Sequence, residues 1–111
     1  MISPARYDIT IHQGATFLET IQFLDSDNSP VDMQGYSLTG KLFNRLATSE
    51  IGSFSFVWVD QTIGKFQMKL APTVTATMTD RGQYDLLVTQ PNGDKFYLLE
   101  GEALFNAGLS G

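Results

Sequence analysis

Residues Asp80–Phe105, DRGQYDLLVTQPNGDKFYLLEGEALF, decide the fold class. Tyr84, Leu86 and Val88 alternate with Asp85, Leu87 and Thr89, the two-residue period of an extended strand with one buried face. Gln90-Pro91-Asn92-Gly93-Asp94 breaks that period: proline presets φ, and Asn-Gly accepts the positive φ of a tight turn. Lys95–Leu99 resumes as a second strand, dense in aromatic and apolar residues. The stretch therefore predicts a β-hairpin, with Gly101 marking a bulge or bend that carries the second strand on to Phe105.

Outward from the hairpin, the rest of the chain supplies strands to cover its apolar face. Tyr7, Ile9 and Ile11 alternate with Asp8, Thr10 and His12, a half-buried first strand. Gln13-Gly14 reads as a bend, or as a switch of the chain from one sheet to another. Thr16–Leu24 is a second strand with Phe17, Ile21 and Phe23 on one side. Glu19 falls on that same side, which demands either an edge position or a bulge. Asp25–Pro30 is a turn cluster, after which Val31 and Met33 dip back toward the core. Tyr36–Phe43 is a third strand with Leu38 and Leu42 aligned, and Asn44–Gly52 is a loop or one helical turn. Phe54, Phe56 and Trp58 set against Val57 and Val59 make a fourth strand that is apolar on both faces. Lys65–Leu70 follows with Phe66, Met68 and Leu70 facing in. Ala71–Thr79 allows a helical turn near Thr73, but its β-branched residues oppose a long helix. The expected fold is all-β, a two-sheet antiparallel β-sandwich of seven or eight strands, with a small barrel as the alternative.

Composition narrows the function classes. At 111 residues the chain has the size of one domain, read as a single sandwich over residues 1–111 with short extended N- and C-terminal arms. Apolar residues at 42% and charged residues at 17% exclude disorder as the default state. A net charge of -5, with only seven scattered Lys and Arg, argues against a nucleic-acid partner, because phosphates select basic patches. No stretch has the length and apolarity of a membrane span or a signal peptide. With no cysteine, thiol chemistry and disulfides are excluded.

Candidates for chemistry are few. His12 is the only histidine, so a His/Cys metal cluster is impossible and a triad would have to use it; a structural or surface role suits it better. Asp25, Asp27, Asn28 and Asp32 have some of the oxygen spacing of a calcium loop but lack its frame, central Gly and closing Glu, and turn formation explains them. Asp80 with Asp85, and Glu100 with Glu102, read as solvent-side strand residues rather than acid–base pairs. The sequence thus points to no catalytic residue, no metal, no cofactor and no small-molecule substrate.

The surplus of apolar side chains is more informative. A sandwich buries one face of each sheet, so outward apolar residues mark candidate contacts with other proteins. Val57, Val59 and Tyr97 are the candidates inside the chain, with Leu87 and Leu99 sharing the Tyr97 face. Ile2 and Leu109 are candidates in the terminal arms, which could add a strand to a neighbour's sheet edge. Trp58 is held back because its face is the candidate core. Alternatives are a phase shift beside a bulge, a loop over the outer face, or a sugar platform using Trp58 with Tyr36 or Tyr97.

The order of signals also carries a resemblance. Tyr7–Phe17, Val31–Tyr36, Gly64–Leu70, Gly82–Leu86 and Leu98–Gly101 together resemble a group of small tailed-bacteriophage virion proteins, similar to the N-terminal domain of baseplate upper proteins, across roughly residues 7–105. The resemblance implies an immunoglobulin-like β-sandwich in a tail, baseplate or fibre-attachment position of the virion. It implies a multi-copy, non-enzymatic component whose partners are other phage structural proteins. Capsid decoration or cement, and host-surface or carbohydrate binding, are the alternatives. The group's pattern carries an Arg at the end of the third strand, matched here by Arg45 but shifted outward by Asn44. An end at Gly111 leads to the expectation of neither a fibre nor a second binding domain.

Overall fold

The computed structural model describes residues 5–107. Eight strands lie among the described residues: β1 (Ala5–Arg6), β2 (Ile9–His12), β3 (Phe17–Gln22), β4 (Ser37–Phe43), β5 (Glu50–Asp60), β6 (Lys65–Leu70), β7 (Gly82–Thr89) and β8 (Lys95–Asn106). A 3-10 turn (Gln61–Ile63) follows β5, and a one-turn helix, α1 (Pro72–Thr75), follows β6. Pro72 opens α1 at a position where its missing N–H costs nothing. The all-β expectation holds.

The hairpin forms where the alternation placed it, with β7 and β8 antiparallel from Thr89↔Lys95 to Gly82↔Ala103. Its turn closes through Gly93 N–H donating to the Gln90 carbonyl and Gln90 N–H donating to that of Asp94. Gly93 alone takes the positive φ, +94°, while the Asn92 side chain accepts the Asp94 N–H. Tyr84, Leu86 and Val88 are buried. One part of the hairpin differs from expectation: Leu86 faces Leu99 but Leu87 faces Tyr97, so Leu98 is an extra, unopposed residue. This bulge resets the phase. Leu98 and Leu99, though adjacent, are both buried, and the expected outward placement of Leu99 is corrected.

Gly101 is thus not the bulge. It sits opposite the gap between β1 and β2, and a Cβ there would lie 2.3 Å from the Tyr7 carbonyl oxygen. The absent side chain lets the Tyr7–Asp8 backbone close onto β8. The register on either side of the gap is the same, Arg6↔Glu100 and Ile9↔Ala103. Inside it, Tyr7 N–H donates to the Glu100 carbonyl and the Asp8 carboxylate accepts the Glu102 N–H.

The strands join in one hydrogen-bonded path, β1-β8-β7-β4-β5-β6-β3, with β2 also on β8. The eleven-residue β5 makes this possible: Glu50–Phe54 pairs β4, and Ser55–Asp60 pairs β6. Pairing is antiparallel except at β1 and β2, which run parallel to β8, a departure from the all-antiparallel expectation. Nearly the whole chain separates those partners, so no tight turn dictates their direction. Gly14, at φ +79°, turns the chain from β2 into β3, an edge strand that among the described residues pairs only with β6.

The core collects the inward positions of every strand from β2 to β8: Ile9, Ile11, Phe17, Leu42, Phe54, Phe66, Met68, Leu70, Tyr84, Leu86, Val88, Leu98, Leu99 and Ala103. Phe54 packs edge-to-face between Phe17 at 6.0 Å and Tyr84 at 5.9 Å, a geometry favoured by the ring quadrupoles. Met33 and Met78 add buried side chains to the core from loops. Among the described residues Thr75 is the buried polar side chain; its hydroxyl donates to the Ala15 carbonyl at 2.8 Å and ties α1 to the β2–β3 turn.

Candidate functional site

Alternation along the strands sorts the expected contact residues cleanly. On β5, Phe54 is buried, and Phe56 and Trp58 are half-buried against the core. Trp58 stands edge-on to Phe66 at 5.8 Å. Val57 points the other way, and Val59, at the register shift between Trp58 and Asp60, also stands outside; they are 55% and 50% exposed. Tyr97 is 48% exposed on the outer side of β8, opposite the half-buried Leu87. The two valines and Tyr97 are thus all outward but lie on different stretches of the path, β5–β6 and β7–β8. Ile2 and Leu109 lie outside the described residues.

Of the residues considered for a sugar platform, Trp58 and Tyr36 are half-buried against the core, and Tyr97 is exposed on the outer side of β8. His12 is exposed on β2, opposite Asn106. The Asp25–Pro30 segment is held by its own backbone chemistry. One Asp25 carboxylate oxygen accepts the N–H groups of Asp27 and Ser29 at 2.9 and 3.0 Å, and Asp32 likewise accepts from Gln34. Among the described residues no group of three His, Asp or Glu side chains is placed to share a metal ion. Arg45 lies in the turn after β4, its carbonyl accepting from the Gln83 side chain at 2.8 Å.

Two features went unread in the sequence. Leu18, on β3, is 54% exposed and belongs to the same outer surface as Val57. Asp85 and Glu100 face each other directly across β7 and β8. Burial raises the Asp85 carboxyl above its ordinary range, Lys41 on the other flank opposes that, and Glu100 adds to it. The pair borders an open depression of about 520 Å3 that Arg6, Phe43, Gln83 and Glu102 also line. The depression is open to solvent, and among the described residues no nucleophile–base pair meets in it.

Fold and surface together define an all-β module that fills one core and leaves apolar side chains standing outside it. Residues 3–104 match the family model described as LtfC-like, beta-sandwich domain, and the chain belongs to that family. The family is phage-associated, which agrees with the sequence resemblance at the level of a phage-type β-sandwich domain. No curated protein matches the chain.

Proposed function

We propose that this domain is a non-enzymatic structural subunit of a tailed-phage particle, seated in the tail, baseplate or fibre-attachment region and held by contacts with other structural proteins. The observation that carries the reading is the double-sided β5: Phe54, Phe56 and Trp58 serve the core, while Val57 and Val59 stand half-exposed outside it. Exposed branched residues side by side on a strand are poor solvent neighbours and good interface neighbours. The phage association of the family supports the location in a particle, and the open form of the surface depression supports a role without catalysis. Binding requires no cofactor in this reading, and repeated copies of the subunit would present the same outward strand faces around the particle axis.

The test is replacement of Val57 and Val59 together by Ser. Outward substitutions leave the core intact, so circular dichroism and melting of the free protein should change little. Incorporation into the assembled particle should fall. Unchanged incorporation of a folded double variant would overturn the reading.

A further inference from the structure

We propose that copies of this chain associate head to tail, the outer face of β3–β6–β5 on one copy docking against the outer face of β4–β7–β8 on the next. The inference rests on the reading of the outward faces as contact surfaces and names their partner as a second copy. The first face is built from three rows that the strand register aligns: Leu18–Lys69–Ser55, Thr20–Gln67–Val57 and Gln22–Lys65–Asp60, with Val59 the unopposed residue at the register shift between Trp58 and Asp60. Its strand side chains include two lysines and no acid apart from Asp60 at the end of β5, whose carboxylate caps the following turn by accepting from Thr62. The Val57 row therefore lies between two lysine rows.

The second face has the complementary layout. Its apolar row, Tyr97–Leu87–Thr39, lies between the row Glu100–Asp85–Lys41 and the row Lys95–Thr89–Ser37. Two residues along a strand separate such rows by about 7 Å, so Val57 seated over Tyr97 and Leu87 sets the Lys69 row against Glu100 and Asp85, and the Lys65–Asp60 row against Lys95. The basic groups near the acidic row are already engaged: Lys41 pairs with Glu50 at 3.4 Å and Arg6 with Asp8 at 3.4 Å. Among the described residues Asp85 and Glu100 have no ion-pair partner, and carboxylates directly opposite each other repel. An incoming lysine relieves that repulsion while Val57 covers Tyr97 and Leu87.

The two faces differ, so the contact is heterologous and propagates to a ring or a filament rather than closing as a two-fold dimer. A standard interface takes about 800 Å2 from each partner, a modest share of a 6538 Å2 surface.

Sedimentation velocity of the full chain from micromolar to millimolar concentration tests this. The wild type should associate with rising concentration and dissociate as salt is added, a result that needs no variant. Lys65→Glu/Lys69→Glu should weaken association by about tenfold or more, and Asp85→Lys/Glu100→Lys should do the same. An equimolar mixture of the two variants should associate again, because each then offers the charge that the other needs. A wild type that stays monomeric at millimolar concentration overturns the proposal, as do indifference to salt and to both reversals, or a mixture that stays monomeric. Particle incorporation of Val57→Ser/Val59→Ser separates this inference from the reading beneath it. A monomeric wild type with reduced incorporation of that variant sinks self-association and leaves the subunit role standing. Charge-dependent self-association with unchanged incorporation does the reverse.

Discussion

The Tyr84 hydroxyl donates a hydrogen bond to the main-chain carbonyl of Tyr7, at the point where Gly101 leaves room for that carbonyl. The Tyr7 hydroxyl in turn donates to the Glu19 carboxylate on β3. These two bonds tie β7, the gap between β1 and β2, and the β3 edge. Tyr84→Phe leaves the ring packed on Phe54 but strands the Tyr7 carbonyl, and should lower unfolding free energy by about 1–2 kcal/mol. Gly101→Ala forces a methyl against the same carbonyl and should cost about 1–3 kcal/mol. Denaturant midpoints at unchanged m-value would report both; a neutral Gly101→Ala would contradict the close approach.

The same two phenols should ionise late. The hydrogen bond to Glu19 raises the Tyr7 pKa first, with burial adding to it; for Tyr84 burial is the main cause. A folded-state pKa above the unfolded value of about 10 means that stability is fully present below that pH and declines as pH rises past it. Of the chain's four tyrosines, the two should show tyrosinate absorbance only at higher pH than the free phenol, close to alkaline unfolding. Titration of all four together near the free-phenol value would be inconsistent with both bonds.

Asp85 should act in the opposite pH range. Its carboxyl is raised in the folded state, mainly by burial, so the folded protein binds a proton more readily than the unfolded chain. Ionisation then costs stability, and the cost appears as pH rises from the unfolded carboxylate value through the folded one. Asp85→Asn should therefore raise the melting temperature at neutral pH and lose that advantage in acid. An equal gain at both pH values would separate the effect from ionisation.

Gly93 tests the turn alone. Its φ of +94° suits glycine, yet nothing lies within 4 Å of a Cβ built there. Gly93→Ala should therefore cost only the conformational penalty, about 1 kcal/mol. A much larger loss in thermal unfolding would mean the turn is packed in a way the structure does not show.

Legibility in the sequence followed the reach of each signal. Phe66, Met68 and Leu70 were readable because strict alternation fixes inward and outward without knowledge of a partner. The same logic placed Val57 and Val59 outside once Phe54, Phe56 and Trp58 were inside. Glu19 was readable only as a choice, and β3 settles it as an edge strand, with Glu19 half-buried and its carboxylate accepting from the Tyr7 hydroxyl. Leu99 was misplaced because a bulge is a two-against-one relation between strands, and the β8 sequence alone does not show that Leu98 has no opposite number. Parallel pairing of β1 and β2 with β8, and the meeting of Asp85 with Glu100, depend on register between segments and leave no mark in local composition.

The most direct measurement of the central claim is a competition within one particle. Wild-type and Val57→Ser/Val59→Ser copies, produced together in phage-infected cells, would be quantified by mass spectrometry in purified particles and in the soluble pool. Each valine buried at an interface is worth about 1.5 kcal/mol or more, and every 1.4 kcal/mol is tenfold in occupancy. The account predicts that the variant is depleted from particles by roughly tenfold or more while matching the wild type in soluble yield and circular dichroism. Equal representation of a folded variant in the particles would contradict it.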